Sequence, residues 1–196
     1  MQPDLAALVG SRICHDLISP IGAIGNGVEL LALTDGDTIA EMELISESVQ
    51  NASARIRYFR IAYGAAGEEQ LVSRSEVLSI LAATARGGRI NYIWKIDGDQ
   101  PRRLVRCALL MLQAIEAALP MGGDIQITQD GEAWVMRGEG PRLKVDQDLW
   151  DNLLAPQVGF RHTASQVQFA LLPGVLAEAG RVVQVKRGDD CLVARF

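Results

Sequence analysis

The chain has 196 residues, a net charge of −5 and an apolar fraction of 48%. This length suits one medium domain or two small ones, and the apolar fraction is typical of a folded protein. Because an acidic chain without a dominant basic run repels duplex DNA, we expect no nucleic-acid partner.

Cysteine usage and hydropathy indicate a soluble protein of a reducing compartment. The spacing of the three cysteines fits neither a disulfide framework nor a structural zinc site: Cys14, Cys107 and Cys191. The first residues lack the basic start and apolar core of a signal peptide, and no unbroken apolar stretch approaches the ~20 residues of a membrane span. We therefore expect a cytoplasmic protein without a membrane segment.

The first part of the chain is predicted to form two long helices. Residues 3–33 carry apolar side chains in steps of four and three, at Cys14, Leu17, Ile21, Ile24, Val28 and Leu31. After a turn at 34–37, Thr38 and Glu41 predict a capping box that opens a second helix. Its apolar positions are Met42, Ile45, Val49, Ala52, Ile56, Phe59 and Tyr63. This pattern predicts an antiparallel hairpin, and since two helices leave apolar surface exposed, we expect two hairpins to form a homodimeric four-helix bundle.

The second part alternates helical and strand-like segments. A glycine-containing stretch at 64–67 ends the hairpin. Helices are predicted over 75–86, 102–119 and 164–179, and strands over 90–96, 125–127, 133–136, 182–186 and 191–196. The fold class is therefore α+β, with a helical hairpin in residues 1–67 and an α/β sandwich in residues 68–196, whose helices cover one face of a mixed sheet.

The hairpin carries the first candidate for chemistry, His15. If Cys14 lies on the apolar seam and faces the core, His15 projects onto the bundle surface. Asp16 could accept a proton from one ring nitrogen and leave the other as a nucleophile. Adjacent helical residues point ~100° apart, so Asp16 could instead act on an incoming group, or be only a solvated acid. We take His15 and Asp16 as the candidate catalytic pair.

Unusual residues surround this pair. Pro20 interrupts the helix at a cost of ~3 kcal/mol, which packing alone does not demand. The glycines that follow, Gly22, Gly25 and Gly27, permit either close helix packing or a smooth surface on which another protein docks. The hairpin turn brings three arginines near the level of His15, where they could neutralise a phosphate or form only a solvated face: Arg55, Arg57 and Arg60.

Residues 11–20, Ser-Arg-Ile-Cys-His-Asp-Leu-Ile-Ser-Pro, resemble the H box of sensor histidine kinases, where a phosphorylatable His precedes an acid, an apolar residue and a Pro. A histidine-bearing hairpin followed by an α/β domain also resembles a kinase's dimerisation and ATP-binding pair. The second domain departs from that pattern at the nucleotide site. Leu109 and Gln113 occupy the two Asn positions, Met136 replaces an Asp, and residues 166–169 lack the lid glycines. These departures imply that ATP is not used.

This combination resembles the ChpT family of histidine phosphotransferases from alphaproteobacterial phosphorelays. The segments 58–65, 118–123 and 140–142 add to the resemblance. Membership implies a homodimer that relays phosphoryl groups between aspartates of receiver domains. It implies no cofactor of its own, with Mg²⁺ held by the receiver. The residues that would line the receiver-docking helix are Ser11, Arg12, Ser19, Gly22 and Asn26.

Three alternatives stay open at this point. The chain could be a histidine kinase with an atypical ATP site, or a non-catalytic dimeric adaptor that does not need His15. A metal site formed by Cys14, His15 and Asp16 is disfavoured because neighbouring residues diverge around a helix. We expect no chemical role for His162. Three tryptophans are expected in the core or at an interface: Trp94, Trp134 and Trp150.

Overall fold

A computed structural model describes residues 4–33, 38–65, 67, 70–86 and 88–196. Two long helices, α1 (Leu5–Leu33) and α2 (Ile39–Ala62), form the predicted hairpin. They pack closely at Gly27, where an added Cβ would lie 2.6 Å from Cγ1 of Ile45. Gly22 and Gly25 have no atom of a neighbouring element within 4 Å of such a Cβ, so close packing explains Gly27 alone.

The start of α2 differs from the prediction. Thr38 does lie at the N-cap, but its φ of −112° and ψ of 16° are not those of a capping residue and its side chain makes no capping hydrogen bond. The first turn closes through the backbone instead, where the Met42 N–H donates to the Thr38 carbonyl at 3.1 Å. The predicted capping box of Thr38 and Glu41 is therefore wrong.

The apolar seam of α1 matches the prediction at Leu17, Ile24 and Leu31, and lies one residue earlier than predicted at its other three positions. Cys14 is exposed, whereas Ile13 and Leu17 pack against the core, and Pro20 and Gly27 are buried. The periodicity misassigned the seam because α1 is apolar on two sides. One side packs within the chain, and the other stays exposed.

The remaining helices belong to the sandwich, and their ends differ from the predictions by a few residues. They are α3 (Arg74–Ala85), α4 (Arg102–Ala117), α5 (Gln147–Leu154) and α6 (Val167–Glu178), with a 3₁₀ turn at Ala164–Gln166. The sequence analysis missed α5 because the helix has only eight residues. Its start signal is present nonetheless, since the Asp146 side chain accepts the Leu149 N–H.

The strands form two sheets. A small antiparallel pair joins β1 (Leu71–Val72) and β3 (Gln100–Pro101), which the sequence analysis did not predict. The main sheet has the order β2-β4-β5-β7-β6. Only β2 and β4 pair in parallel in it. Its strands are β2 (Ile90–Trp94), β4 (Gly123–Asp130), β5 (Ala133–Glu139), β6 (Gln184–Arg187) and β7 (Cys191–Arg195).

The core lies between the sheet and the helices. The central helix α4 is buried along most of its length, and in β5 the alternating residues Trp134, Met136 and Gly138 face inward. The other two tryptophans, Trp94 and Trp150, are also buried in the core. The predicted α+β class and the core placement of the tryptophans are therefore confirmed, and α3 and α4 both touch the sheet and the hairpin.

One helix among the described residues, α1, could cross a membrane by length and composition alone, with a mean hydropathy of 1.2 over its most apolar 18 residues. No membrane-spanning helix is expected from the sequence, because α1 has no unbroken apolar run and mixes apolar residues with glycine, serine and charged residues. An apolar helix of a soluble protein passes the same test, so this feature alone does not show membrane insertion.

Candidate functional site

His15 lies on the surface of α1, with 85% of its side chain exposed. Its Nδ1 lies 3.1 Å from Oδ1 of Asp16, which is only 12% exposed. The other carboxylate oxygen of Asp16 accepts a hydrogen bond of 2.7 Å from Nε of Arg12. Arg12 in turn donates from Nη1 to the Ser165 carbonyl at 3.4 Å. A chain of contacts therefore runs from the sandwich through Arg12 and Asp16 to the exposed imidazole.

This geometry fixes which ring nitrogen is available. An ionised carboxylate only accepts hydrogen bonds, so the His15 nitrogen that contacts Asp16 carries the proton. In that neutral tautomer Nε2 keeps its lone pair and points away from Asp16. The contact between Asp16 and the ring, which the sequence left open, is thus made within the chain, and Nε2 is the ring nitrogen that does not contact Asp16.

The predicted docking residues share one side of α1 with His15. Four of them are exposed, and spacings of four, four, three and four residues place them along one face together with the histidine. They are Ser11, Ser19, Gly22 and Asn26. The fifth, Arg12, is partly buried by its bonds to Asp16 and Ser165. The structure therefore brings the predicted set together as an exposed ridge around His15.

The three arginines of α2 do not stay together. Arg55 donates to Oδ1 of Asn51 and lines a cavity that Asp16 also lines. Arg57 instead donates to the Ser79 hydroxyl and Arg60 to the Glu76 carboxylate, both on α3. Arg57 and Arg60 are thus bonded to α3, and their role as candidates for neutralising a phosphate at His15 stays a prediction.

The cavity beside Asp16, which we call the interdomain cleft, lies between the hairpin and the sandwich. Its volume is about 250 Å³, and the residues that line it come from α1, α2, α3, α4, β2 and the loop before β2. The polar members are Arg12, Asp16, Arg55, Thr84, Arg89, Tyr92, Gln113 and Glu116. Five of these residues belong to the sandwich, and only Gln113 among the five was singled out from the sequence: Thr84, Arg89, Tyr92, Gln113 and Glu116.

Glu116 is the buried acid of this cleft. Its Oε1 accepts a hydrogen bond of 2.8 Å from the Tyr92 hydroxyl. Burial raises the pKa of Glu116 to about 7, against the lowering effects of the Tyr92 hydrogen bond and of Arg12. Sequence reasoning missed Glu116 because a lone acid on an apolar helix carries no signal of its own.

The two positions where kinases carry asparagine bond to the hairpin. The Tyr58 hydroxyl donates to the Leu109 carbonyl at 2.5 Å, and the Tyr63 hydroxyl donates to Oε1 of Gln113 at 3.0 Å. Both tyrosines come from the C-terminal end of α2 and its cap. The hairpin therefore covers the face of α4 on which these two positions lie.

The third position at which this chain departs from the kinase pattern is Met136, and its side chain belongs to the core. Met136 is fully buried in the core. Next to it, α4 packs so closely on β5 that a Cβ added to Gly138 would lie 2.2 Å from Cγ2 of Ile115. Core side chains therefore occupy the space between α4 and β5 at this level.

No group of three His, Cys, Asp or Glu side chains could hold a metal ion within the described part of the chain. The weak alternative of a metal site at Cys14, His15 and Asp16 has no support in this geometry, because Cys14 and His15 are exposed and Asp16 is bonded to Arg12.

Comparison with known proteins identifies the family. Residues 74–191 match the family model of the histidine phosphotransferase C-terminal domain. The chain is also 39% identical to the protein phosphotransferase ChpT of Brucella abortus (strain 2308), over 97% of this chain and 93% of that protein. The chain belongs to the histidine phosphotransferase family.

One solved structure agrees with this assignment. A bacterial phosphotransferase solved at 1.7 Å matches all of this chain and 96% of its own, with 30% identity and a TM-score of 0.78. The AdeS histidine kinase of Acinetobacter baumannii is more distant, with 12% identity, a TM-score of 0.44 and coverage of 92% of this chain and 95% of its own. The family assigned from the H box and the altered kinase motifs is thereby confirmed.

Asp16 is expected to matter for the reactivity of His15. Asp16→Asn keeps the shape of the side chain but removes the negative charge that favours a protonated Nδ1. We expect phosphoryl uptake from a phosphorylated receiver to slow by about tenfold, the equivalent of about 1.4 kcal/mol for one charge-assisted hydrogen bond. Rapid-quench measurement of the labelled chain tests this. Asp148→Asn, at an exposed acid of α5, is the control, and equal rates for the two variants would contradict the role of Asp16.

Proposed function

We propose that this protein relays phosphoryl groups between aspartates of receiver domains through a phosphohistidine at His15. The observation that carries the proposal is the exposed imidazole whose Nδ1 is bonded to Asp16, which leaves Nε2 free for attack. An acceptor for another protein's phosphoryl group must be reachable by a whole folded domain, and a side chain 85% exposed on a long helix meets this need.

The reaction needs little from this chain beyond position. His15 Nε2 attacks the phosphorus of a receiver's aspartyl phosphate, a P–N bond forms, and the P–O bond to the aspartate breaks. The carboxylate leaves with its electron pair, and a second receiver's aspartate later reverses the step. Phosphoryl transfer depends mainly on alignment and charge neutralisation, and Mg²⁺ in the receiver supplies part of the latter. Asp16 orients the ring, and Arg12 holds Asp16.

The ridge formed by Ser11, Ser19, Gly22 and Asn26 is the proposed docking surface for the receiver. Gly22 adds no side chain, and open space surrounds it, so a helix or loop of the partner can approach the backbone of α1. Among the arginines of α2, Arg55 is the one that we propose to assist charge neutralisation, since it shares the interdomain cleft with Asp16.

ATP is not the proposed phosphoryl donor. Tyr58 and Tyr63 cover the α4 positions at which a kinase carries asparagine, and Met136 fills the position of the aspartate that would hold adenine. These contacts support the interpretation of the second domain as a brace for the hairpin and a recognition surface.

The test starts from a panel of receiver domains labelled at aspartate with radioactive phosphate. We expect the chain to acquire an acid-labile, alkali-stable label from a receiver and to pass it to a second, unlabelled receiver. Labelled ATP alone should give no signal. Label from ATP would instead establish the kinase alternative. Stable complexes with receivers that never yield label would establish the non-catalytic adaptor.

We further propose that the chain forms a homodimer through the exposed apolar side of the hairpin. Residues seven apart form an apolar stripe on each helix, with Ile21 and Val28 on α1 and Met42, Val49 and Ile56 on α2, all 45–58% exposed. Ile56 lines a groove together with Val9 and Ile13 of α1, so both helices border it. A second hairpin laid there would complete a four-helix bundle.

Val49→Asp tests the dimer, because a charge in the middle of the stripe opposes burial. Light scattering during size-exclusion chromatography should give a dimer mass for the native chain and a monomer mass for the variant. Val182→Asp, at an exposed valine outside the hairpin, should leave the mass unchanged. A native monomer, or a dimer that survives Val49→Asp, would contradict the interface. Whether it is a monomer or a dimer, we propose that the protein acts in the cytoplasm, where it would meet receiver domains in solution.

A further inference from the structure

The interdomain cleft collects three positive charges from three separate elements. Arg12 comes from α1, Arg55 from α2, and Arg89 from the loop that precedes β2. The phosphotransfer chemistry proposed at His15 does not need Arg89, and His15 itself does not line this cavity. A cavity lined by three arginines from three elements therefore needs a separate explanation.

Donor groups of these arginines stay available. Arg12 uses Nε for Asp16 and Nη1 for the Ser165 carbonyl, and Arg55 uses Nε for Asn51. The terminal nitrogens of Arg55 make no hydrogen bond or ion pair within the described part of the chain. The same is true of the whole Arg89 guanidinium with respect to the residues described. The cleft thus has free N–H donors on two sides.

The charge of the cleft is positive on balance. Two acids face the three arginines, Asp16 and Glu116. The pKa of Glu116 is raised to about 7 by burial, so near neutral pH a large share of the molecules carries this side chain uncharged. Three arginines therefore line the cleft against two acids, one of which has a raised pKa. A cavity with this charge favours an anion.

We propose that the interdomain cleft binds a small anion that bears a phosphate group. A tetrahedral phosphate offers three terminal oxygens, and guanidinium groups from α1, α2 and the β2 loop can approach these from three directions. A carboxylate offers two oxygens in one plane and leaves one of the three arginines unmatched. The volume of about 250 Å³ suits a compact phosphate compound, since pockets for larger ligands generally begin at about 300 Å³.

Binding is coupled to the protonation of Glu116. The titratable and charged groups that interact with it are Arg12 and Asp16 of α1, Tyr92 of β2, and Arg55, Tyr58 and Tyr63 from α2 and its cap. Arg89 lines the same cleft from the loop before β2. Burial raises the pKa of Glu116 to about 7, whereas the pKa values of the three tyrosines are raised above their ordinary value of 10. An anion in the cleft opposes ionisation of Glu116, so its binding weakens as the pH rises.

Isothermal titration calorimetry on the full chain tests the proposal. The probes are inorganic phosphate, citrate and sulfate. Sulfate is included because its charge, unlike that of the other two, is constant between pH 6 and 8. We expect saturable one-site binding of phosphate and sulfate, weakened about tenfold by Arg89→Ala, as for the loss of one charge-assisted hydrogen bond. Arg103→Ala removes an exposed arginine from the first turn of α4, at the far end of that helix from Glu116, and should leave binding unchanged. Sulfate should bind several-fold more weakly at pH 8 than at pH 6, and Glu116→Gln should remove this difference.

Three results would overturn the assignment. Absence of saturable binding of phosphate and sulfate at millimolar concentrations would exclude the site. Equal weakening by Arg89→Ala and Arg103→Ala would reduce the effect to general surface charge. Tighter binding of citrate than of phosphate would assign the cleft to a carboxylate ligand. Arg89 is exposed, so its replacement tests the contact without threatening the fold, and thermal unfolding of each variant verifies this.

Discussion

His15→Ala is expected to abolish phosphoryl uptake from labelled receivers, down to the level seen without the protein. The variant lacks the only group on the docking ridge that can form a P–N bond, and no neighbouring side chain can replace Nε2. Because 85% of the His15 side chain is exposed, the free energy of unfolding should change by less than about 0.5 kcal/mol. Loss of label with an unchanged urea midpoint would therefore separate chemistry from folding.

The chain offers a matched control for this experiment. His162 is the second of two histidines and lies in a different cavity, with its ring packed against Phe160. Burial lowers the pKa of His162, and nothing places it near Asp16. His162→Ala should take up label at the native rate. If His15→Ala were still labelled, or if His162→Ala alone lost the label, the assignment of the acceptor would be wrong.

The local chemistry of His15 could be predicted from the sequence, and its packing could not. The order His15-Asp16 and the position of Pro20 are enough to single out the histidine. The seam was placed one residue off at three of its six positions, as on Cys14 in place of Ile13, since a helix that is apolar on two sides gives the same spacing for its internal and external faces. The periodicity records that a side is apolar, but not what covers it.

The interdomain cleft shows the same limit over longer distances. Arg12, Arg89 and Glu116 are separated by dozens of residues, and they line one cleft only because α3 and α4 pack against the hairpin and β2 packs beside α3. No spacing rule connects residues on three elements whose relative positions come from tertiary packing. Arg57 and Arg60 are close to Arg55 in sequence, but they are bonded to α3, whereas Arg55 lines the cleft.

Glu116→Gln is expected to stabilise the protein at high pH and to remove much of its pH dependence. The glutamine keeps an acceptor for the Tyr92 hydroxyl but cannot ionise. Folding raises the pKa of Glu116 from 4.5 to about 7, so between these values the folded chain holds a proton that the unfolded chain releases. The contribution of Glu116 to stability is therefore fully present below pH 4.5 and is lost as the pH rises towards 7. At pH 8 the variant should exceed the native chain by at most about 3 kcal/mol.

Urea unfolding at several pH values between 5 and 8 measures this difference. Glu178→Gln, at an exposed acid that pairs with Arg106, serves as the control and should keep the native slope of stability against pH. If the free energy of unfolding changed equally with pH in the native protein and in Glu116→Gln, Glu116 would have an ordinary pKa in the folded chain and would not be shielded from water. The expected result has a consequence for the anion site. Glu116 is kept in the cleft at a cost to stability, and its ionisation makes the proposed binding of an anion there depend on pH. The same cleft is lined by Asp16, the carboxylate that contacts His15.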